Sequence, residues 1–247
     1  MFSKLSVLSV VLILACASLM AGEAYDAAKA TGTIKGTVIW DGPTLPVKNI
    51  DVTPDPACPK CRANAVLVKE DAMVKDGKLA NVVVYVSKGA EKWNFEGVTL
   101  PNVNINQKCC QYIPHVLALK TGQKLDIESS DTFAHNIHIS PKENKETNVS
   151  QTSVGIHNTH PSYDTPELGI KVQCDVHNWM NSFICVFDHA LFAVSKEDGS
   201  FEIKLPPGKY TLSTWQELPK KVAQPEPIEV TVEDGKAAEV KFTFKKK

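Results

Sequence analysis

The chain has 247 residues, a formal net charge of −1 and 43% apolar residues. This composition is typical of a globular protein with room for two small domains, or for one domain with a large insertion. The near-zero charge, without a basic stripe along the chain, argues against nucleic acid as a partner.

Residues 1–24 predict a secretory signal peptide. A short basic start precedes a hydrophobic core at residues 5–20 and a small-residue exit, with cleavage expected near Ala21 or Ala24. The core is too short to span a membrane comfortably, so we expect a mature chain without a transmembrane helix, in the periplasm or outside the cell. The sequence ending at Cys16 loosely resembles a lipoprotein box. A lipid anchor there is the less favoured alternative to a cysteine inside a removed signal.

Six cysteines remain after export, and an oxidising compartment makes disulfides their default state. Residues 54–62 contain three prolines and the C-x2-C pair Cys58 and Cys61, so we predict a loop. A redox motif would need a strand-to-helix context, which the prolines do not support. Haem attachment would need a histidine where the chain has Arg62. Structural disulfides are therefore the favoured interpretation.

Strand patterns separated by turns run along the rest of the chain. Residues 31–41 alternate apolar and polar side chains before an Asp-Gly-Pro turn, and residues 81–87 are rich in β-branched side chains. Residues 198–203 and 205–212 indicate two strands around a Pro-Gly turn, and residues 228–244 a closing hairpin. No segment has a sustained helical period. We therefore predict an all-β protein built from sandwiches.

The densest chemical pattern lies in residues 171–186. Cys174, His177 and Met180 form C-x2-H-x2-M, so one short loop offers a thiolate, an imidazole and a thioether to one ion, and His135 can supply a second imidazole. One cysteine, two histidines and a distant axial methionine are the ligands of a blue-copper electron-transfer site. Zinc is the competing ion, but a thioether is a poor zinc ligand.

The combination of HN-x-H, starting at His135, with C-x2-H-x2-M resembles the cupredoxin family, in particular its amicyanin-type members with a short ligand loop. The resemblance covers residues 105–189, under half of the chain. Family members often have proline before the first ligand histidine and after the second, where this chain has Ala134 and Asn178.

The cupredoxin resemblance implies a Greek-key β-sandwich that holds one type 1 copper ion. It implies His135, Cys174, His177 and Met180 as ligands, with Asn136 tethering the ligand loop by hydrogen bonds. It further implies transfer of one electron at a time to a redox partner protein. The exit would be a His177 ring that reaches the surface, with Trp179, Met180 and Phe133 around it.

A second resemblance covers both ends of the chain. The pattern DG-x-F-x-I … LPPG-x-Y-x-L and the stretch GTIKGTVIWDG resemble the prealbumin-like, carboxypeptidase-regulatory-like β-sandwich. The combination resembles exported bacterial proteins of a methylamine-utilisation-like group. We therefore expect residues 31–104 and 192–247 to form one sandwich, with the copper unit, residues 105–191, inserted in it or next to it. The strand in residues 31–41 should then pair with the C-terminal strands.

The resemblance also suggests the disulfides. Cys58 and Cys110 match a cysteine pair of the resembled group, and Cys61 and Cys109 are extra cysteines that could pair in parallel. Adjacent cysteines on an extended strand point to opposite faces, which makes two bonds to one loop awkward. We expect Cys185 to be a small buried apolar residue.

The remaining histidines are expected to be structural or exposed. His115, His138 and His189 lie on or beside strands, and His157 and His160 lie in a polar loop where a weak second metal site is the less favoured alternative. The chain carries no pattern of a catalytic triad, phosphate loop or carboxylate pair, so we expect no enzyme. Three functions compete: an electron carrier, a copper-handling protein, and a structural β-protein that recognises carbohydrate or protein.

Overall fold

The computed structural model describes residues 22–71, 73–152, 154–160, 163–217 and 222–247. Most of the expected signal peptide, including Cys16, lies outside these residues. No helix within the described ranges is long and apolar enough to cross a membrane.

The described elements are almost entirely strands. The first group comprises β1 (Glu23–Ala24), β2 (Gly32–Asp41), β3 (Asn49–Ile50), β4 (Leu67–Val68), β5 (Val74–Lys75), β6 (Lys78–Leu79), β7 (Val83–Lys88) and β8 (Trp93–Asn94). The middle group comprises β9 (Val103–Gln107), β10 (Tyr112–Ile113), β11 (Val116–Lys120), β12 (Leu125–Ser129), β13 (His135–Ser140), β14 (Thr147–Gln151), β15 (Gly155–His160), β16 (Glu167–Gln173) and β17 (Asn181–Phe187). The last group comprises β18 (Phe192–Val194), β19 (Ser200–Leu205), β20 (Gly208–Trp215), β21 (Val222–Ala223), β22 (Ile228–Val232) and β23 (Ala237–Lys246).

The helical part is small. One α-helix, α1, spans Ala57–Cys61, and two 3-10 turns span Ala27–Lys29 and Ala90–Lys92. The loop predicted over residues 54–62 therefore contains a helical turn. The carboxylate of Asp55 accepts a hydrogen bond from the N–H of Ala57 at its start. Proline is tolerated in a first turn because the N–H that it lacks would have no helical partner.

The strands β9 to β17 form a two-sheet sandwich, here called the inner sandwich. One sheet has the order β10-β9-β12-β15 and the other β11-β17-β16-β13-β14. Side chains alternate, as in β12, where Leu125 and Ile127 point into the core and their neighbours point outward. Burial of these apolar faces holds the two sheets together.

The two ends of the chain together build an outer sandwich. Its sheets have the orders β18-β7-β20-β22 and β21-β23-β2-β6-β5, with β19 also paired to β2. The strand β2 runs parallel to β23 and antiparallel to β19, which confirms the pairing expected between the first and last strands. The predicted fold class, all-β with two adjacent sandwiches, is confirmed.

The segment from β3 to β4 belongs to the inner sandwich in its packing. Val52, Cys58 and Leu67 lie in the same buried cluster as the core of β11, β12 and β13. The cluster between β2, β7 and β23 does not include them. Residues 49–68 therefore cover the inner sandwich, although they precede it by several strands.

The two sandwiches meet through a layer that we call the seam. Val83, Val116, Cys185 and Phe187 are buried there, and larger partly buried rings such as Trp215 pack around them. The sheet containing β11 and β17 thus has apolar side chains on both faces. The strand β17 therefore contributes side chains both to the inner core and to the seam.

Candidate metal centre

The expected ligand loop joins β16 to β17 and closes on itself. The N–H of Cys174 donates to the carbonyl of Met180 across 3.2 Å, and the N–H of Met180 donates to the carbonyl of His177 across 2.9 Å. His135 starts the neighbouring strand β13, so the sheet brings it beside the loop. Strand ends that are distant in sequence therefore meet at one pole of the inner sandwich.

Three expected donors converge. The Nδ1 atoms of His135 and His177 lie 3.1 Å apart, and Sγ of Cys174 lies 3.8 Å from Nδ1 of His177. The donor atoms of all three residues lie within 4.8 Å of one another. Met180 is buried in the same core as Cys174. The structure thus brings together the donor atoms of three expected ligands, and Met180 is buried at the end of the same loop.

Each expected ligand histidine has a carboxylate on its outer nitrogen. Nε2 of His135 lies 2.7 Å from Oδ2 of Asp131, and Nε2 of His177 lies 3.0 Å from Oδ2 of Asp55. An ionised carboxylate only accepts, so each Nε2 carries a hydrogen and donates it. The two Nδ1 atoms are then left with lone pairs that face each other. A cation or a shared proton between them stabilises this arrangement.

The donor set suits copper. Nitrogens 3.1 Å apart can both lie about 2 Å from one ion, which is an ordinary metal–imidazole distance. Although burial raises the pKa of the Cys174 thiol, His135 and backbone N–H groups of Asn136 and His177 lower it to about 7. The site therefore favours the thiolate that a soft metal needs, and a buried methionine on the same loop suits copper better than zinc.

Charge around His135 is also balanced. Burial lowers the pKa of His135, but the hydrogen bond to Asp131 and the proximity of Cys174 together raise it to about 9. Burial raises the pKa of Asp131, and its bonds to His135 and to the N–H groups of Cys109 and Cys110 bring it below the ordinary value. The metal-free site therefore favours a positive charge on the His135 ring beside the negative charge of Asp131.

The structure forms two disulfides, Cys58 with Cys110 and Cys61 with Cys109. The expectation that Cys109 and Cys110 lie on an extended strand is wrong. Both have left-handed backbone conformations, with φ of 49° and 59°, so they form a tight turn after β9. That turn lets both sulfurs reach α1.

Asn136 contacts the ligand loop directly. Its Oδ1 accepts a hydrogen bond of 2.7 Å from the N–H of Asp175, the residue after Cys174, and its amide group donates to Asn148. The hydroxyl of Tyr112 donates to the backbone carbonyl of Asn136. These bonds join β13 to the start of the loop, which is the geometry that a tether requires.

The ring of His177 does not reach the surface. It is 1% exposed, and Asp55 lies on its outer edge. The expectation of an exposed exit histidine is wrong because residues from another part of the chain fold over it. The partly exposed rings nearby are Trp179, 5.1 Å from the His177 ring, and Phe133, 5.1 Å from the His135 ring.

The other histidines have partners of their own. His138 lies between Glu146 and Asp175, and Nε2 of His189 donates to a backbone carbonyl. His115 is buried between Glu70 and Glu217. The side chains of His157 and His160 lie outside the described part of the structure. Cys185 is buried in the seam, and burial raises the pKa of its thiol to about 12.

The sequence analysis missed Asp55 and Asp131 as parts of the site. Asp131 stands four residues before His135, and the two lie side by side because the chain turns between β12 and β13. Asp55 carries no local signal. Only the neighbouring Cys58 and Cys61, matched with two cysteines beside the inner sandwich, could have pointed to it.

Comparisons with known proteins give weak matches. No protein-family model and no curated protein matches the chain. Among solved structures, a copper-containing nitrite reductase (NirK) from Thermus scotoductus SA-01 has 17% identity and a TM-score of 0.30 and covers 37% of this chain, while the chain spans 23% of its length. A reduced amicyanin variant has 14% identity and a TM-score of 0.28, covering 37% of this chain and 88% of its own. A purple cupredoxin from Nitrosopumilus maritimus has 17% identity and a TM-score of 0.29, and the match covers 35% of this chain and 100% of the cupredoxin.

Proposed function

We propose that the chain is an exported mononuclear copper protein that accepts and donates one electron at a type 1 centre. The observation that carries this proposal is the convergence of the buried His135, Cys174 and His177, with Met180 also buried on the loop that holds Cys174 and His177. A copper ion held there would supply the one-electron couple.

The protein's own groups hold the donors in place. The N–H of His177 points to Sγ of Cys174 across 3.4 Å, which favours the thiolate. Asp131 and Asp55 orient the two imidazoles, and Asn136 ties down the start of the loop. Ligands that are fixed by strand ends and hydrogen bonds change position little between oxidation states. Met180 would complete the set as a weak thioether donor.

Trp179 supports an electron path that avoids the covered imidazole edge. Its ring packs on His177, its Nε1 donates to the carbonyl of Cys110, and part of it is exposed. A redox partner protein would dock over this ring and the neighbouring Phe133. We propose no enzymatic role. The exported location and any lipid anchor at Cys16 belong to the same proposal.

A second candidate is a copper-handling protein that holds the ion without exchanging electrons. The burial of His177 favours the copper-handling function, because electron transfer to a partner is faster when the edge of a ligand histidine is exposed. A structural β-protein that recognises carbohydrate or protein remains the third candidate. Purified protein that contains no copper, and binds none when it is supplied, would favour that function.

The absorption and paramagnetic-resonance spectra of the Cu(II)-loaded protein test the copper centre. We expect a strong visible band from the bond between Cys174 and Cu(II), and we expect Cys174→Ser to remove it. A Cu(II) protein with intact Cys174 and no such band contradicts the type 1 assignment. Reversible reduction with fast electron self-exchange then separates the carrier from the copper-handling protein.

A further inference from the structure

Asp55 and the helix α1 cover the metal centre beside His177, and we call residues 55–61 the cap. Oδ2 of Asp55 contacts Nε2 of His177 across 3.0 Å, while its Oδ1 accepts the N–H of Ala57 across 2.8 Å. Both carboxylate oxygens are therefore used, one on the helix and one on the ligand. The Asp55 side chain is 33% exposed and the His177 side chain 1%, so the carboxylate lies between the imidazole and water.

The disulfides fasten the cap to the second histidine as well. Cys58 and Cys61 of α1 are bonded to Cys110 and Cys109. The N–H groups of Cys109 and Cys110 donate to the two oxygens of Asp131 across 2.7 and 3.0 Å. Asp131 is buried and in turn holds His135. The cross-linked cap thus holds the outer nitrogen of His177 directly through Asp55, and that of His135 through the bonded cysteines and Asp131.

The disulfide between Cys58 and Cys110 lies against the centre itself. Their sulfurs and a ring nitrogen of His177 lie within 4.8 Å of one another, and Cys110 has the same proximity to Asp131 and His135. A cross-link that only stabilised a surface loop would not need this contact. Asp51, four residues before Asp55, is exposed, and among the described residues its carboxylate accepts hydrogen bonds from Thr53 alone.

We infer that residues 55–61 are a disulfide-locked cap that closes the centre, and that Asp55 is a positioning residue for His177. The closure keeps external ligands and chelators away from the ion. The carboxylate fixes the His177 ring and places negative charge beside it, which favours the more positive oxidation state of the metal. This inference rests on the proposed function for the identity of the ion, copper, but not for the closure of the site.

The closure can be tested on the metal-free protein. Glu146 and Asp175 raise the pKa of His138, so the reaction is run at alkaline pH, where this ring is uncharged. Histidine modification by diethyl pyrocarbonate, located by peptide mass spectrometry, should then label the partly exposed His138 well before His177. Asp55→Ala should make His177 reactive, and Asp51→Ala, the matched control, should not. Labelling of His177 as fast as His138 in the parent protein would overturn the cap, whether or not the protein binds copper.

The role of Asp55 is tested on the Cu-loaded protein with Asp55→Asn, which keeps the size of the side chain, and with Asp51→Asn as control. We expect Asp55→Asn to retain the visible band, to raise the reduction potential, and to speed transfer of copper to a chelator about 10-fold or more. The double variant Cys61→Ser, Cys109→Ser should also speed transfer. Unchanged potential and transfer rate in Asp55→Asn would overturn the positioning role and leave the copper assignment intact.

Discussion

At the scale of single residues, Asp55 and Asp131 determine where the protons of the two imidazoles lie. Both histidines donate from Nε2, so the lone pairs on Nδ1 turn inward to Cys174. The choice of nitrogen is therefore set by residues that are not among the proposed ligands. This is why carboxylates around a metal site are as informative as the ligands.

Copper affinity should depend steeply on pH. In the metal-free protein the pKa of His135 is raised to about 9 and that of Cys174 lowered to about 7, so His135 carries a proton over much of the neutral range. Copper must displace that proton, and below pH 7 a second one from Cys174. We expect the apparent affinity to fall about tenfold per pH unit between pH 9 and 7, and more steeply below. Competition titrations at several pH values measure this, and a flat profile contradicts it.

The side chain of Asn136 should matter more for the metal centre than that of Asn148, to which it donates a hydrogen bond. Asn136→Ala leaves the N–H of Asp175 without its acceptor, so we expect a cost of about 1–3 kcal/mol in unfolding free energy and a disturbed Cu(II) resonance spectrum. Asn148→Ala removes an exposed amide that accepts from Asn136 and donates to Asp175, and it should cost about 0.5–1 kcal/mol without disturbing the Cu(II) resonance spectrum. Denaturant titration and paramagnetic resonance check both variants. Equal effects would remove the special role of Asn136.

At the scale of elements, the two disulfides should not contribute additively to stability. Their sequence separations are 52 and 48 residues, and either bond alone closes nearly the same long loop. With one bond present, the other closes only a short ring. We therefore expect loss of the Cys61–Cys109 bond to cost about 2 kcal/mol and loss of both to cost about 6 kcal/mol, because only the second loss frees the long loop.

Urea unfolding of the metal-free protein, followed by tryptophan fluorescence, measures these costs. The variants are Cys61→Ala with Cys109→Ala, and the same pair combined with Cys58→Ala and Cys110→Ala. Simple additivity, with the first loss costing as much as the second, would contradict the shared-loop explanation.

Much of the strand content could be predicted from alternation and turn residues, as in β2 and in the hairpin of β19 and β20. The helix α1 could not, because its three nearby prolines favour a loop and its capping bond depends on a single Asp55 oxygen. The ligand loop was predictable since its donors are close in sequence. The burial of His177 under Asp55 could not be predicted from the sequence. It depends on the connectivity of two disulfides between distant segments and on the backbone turn at Cys109.

At the scale of the whole molecule, His115 links three distant segments. Burial opposes its charge, but the hydrogen bond to Glu217 and the charges of Glu217 and Glu70 raise its pKa above the ordinary value. A raised pKa in the folded state contributes stability that is complete below the unfolded value of about 6.5 and disappears as the pH rises through the folded value.

Glu217→Gln should therefore destabilise the protein at pH 6 and have a smaller effect at pH 9. Thermal unfolding at the two pH values measures the difference between parent and variant. Glu197→Gln, at an exposed turn, is the control and should show little effect at either pH. A Glu217→Gln effect that grows with pH would contradict the charged link.

The division into two units can be tested by truncation. Residues 49–68 pack on the inner sandwich and residues 103–104 begin β9. We propose that the rest of residues 31–104, together with residues 192–247, folds as one unit around β2. Removal of residues 192–247 deprives β2 of both β19 and β23, so its sheet edges and apolar face would be uncovered. We expect Trp40 to lose its cooperative thermal transition, while a copper band would persist in part. A retained cooperative Trp40 transition contradicts the proposal.

The seam limits how freely the inner sandwich could be transplanted. On β17, Ile184 and Val186 face the inner core, while Cys185 and Phe187 face the outer sandwich. An excised inner sandwich would expose an apolar patch with the thiol of Cys185 in its middle. It should therefore self-associate and form intermolecular disulfides. A graft that aims to reuse this centre in another scaffold must therefore bring a replacement cover for β17, or exchange its outward side chains for polar ones.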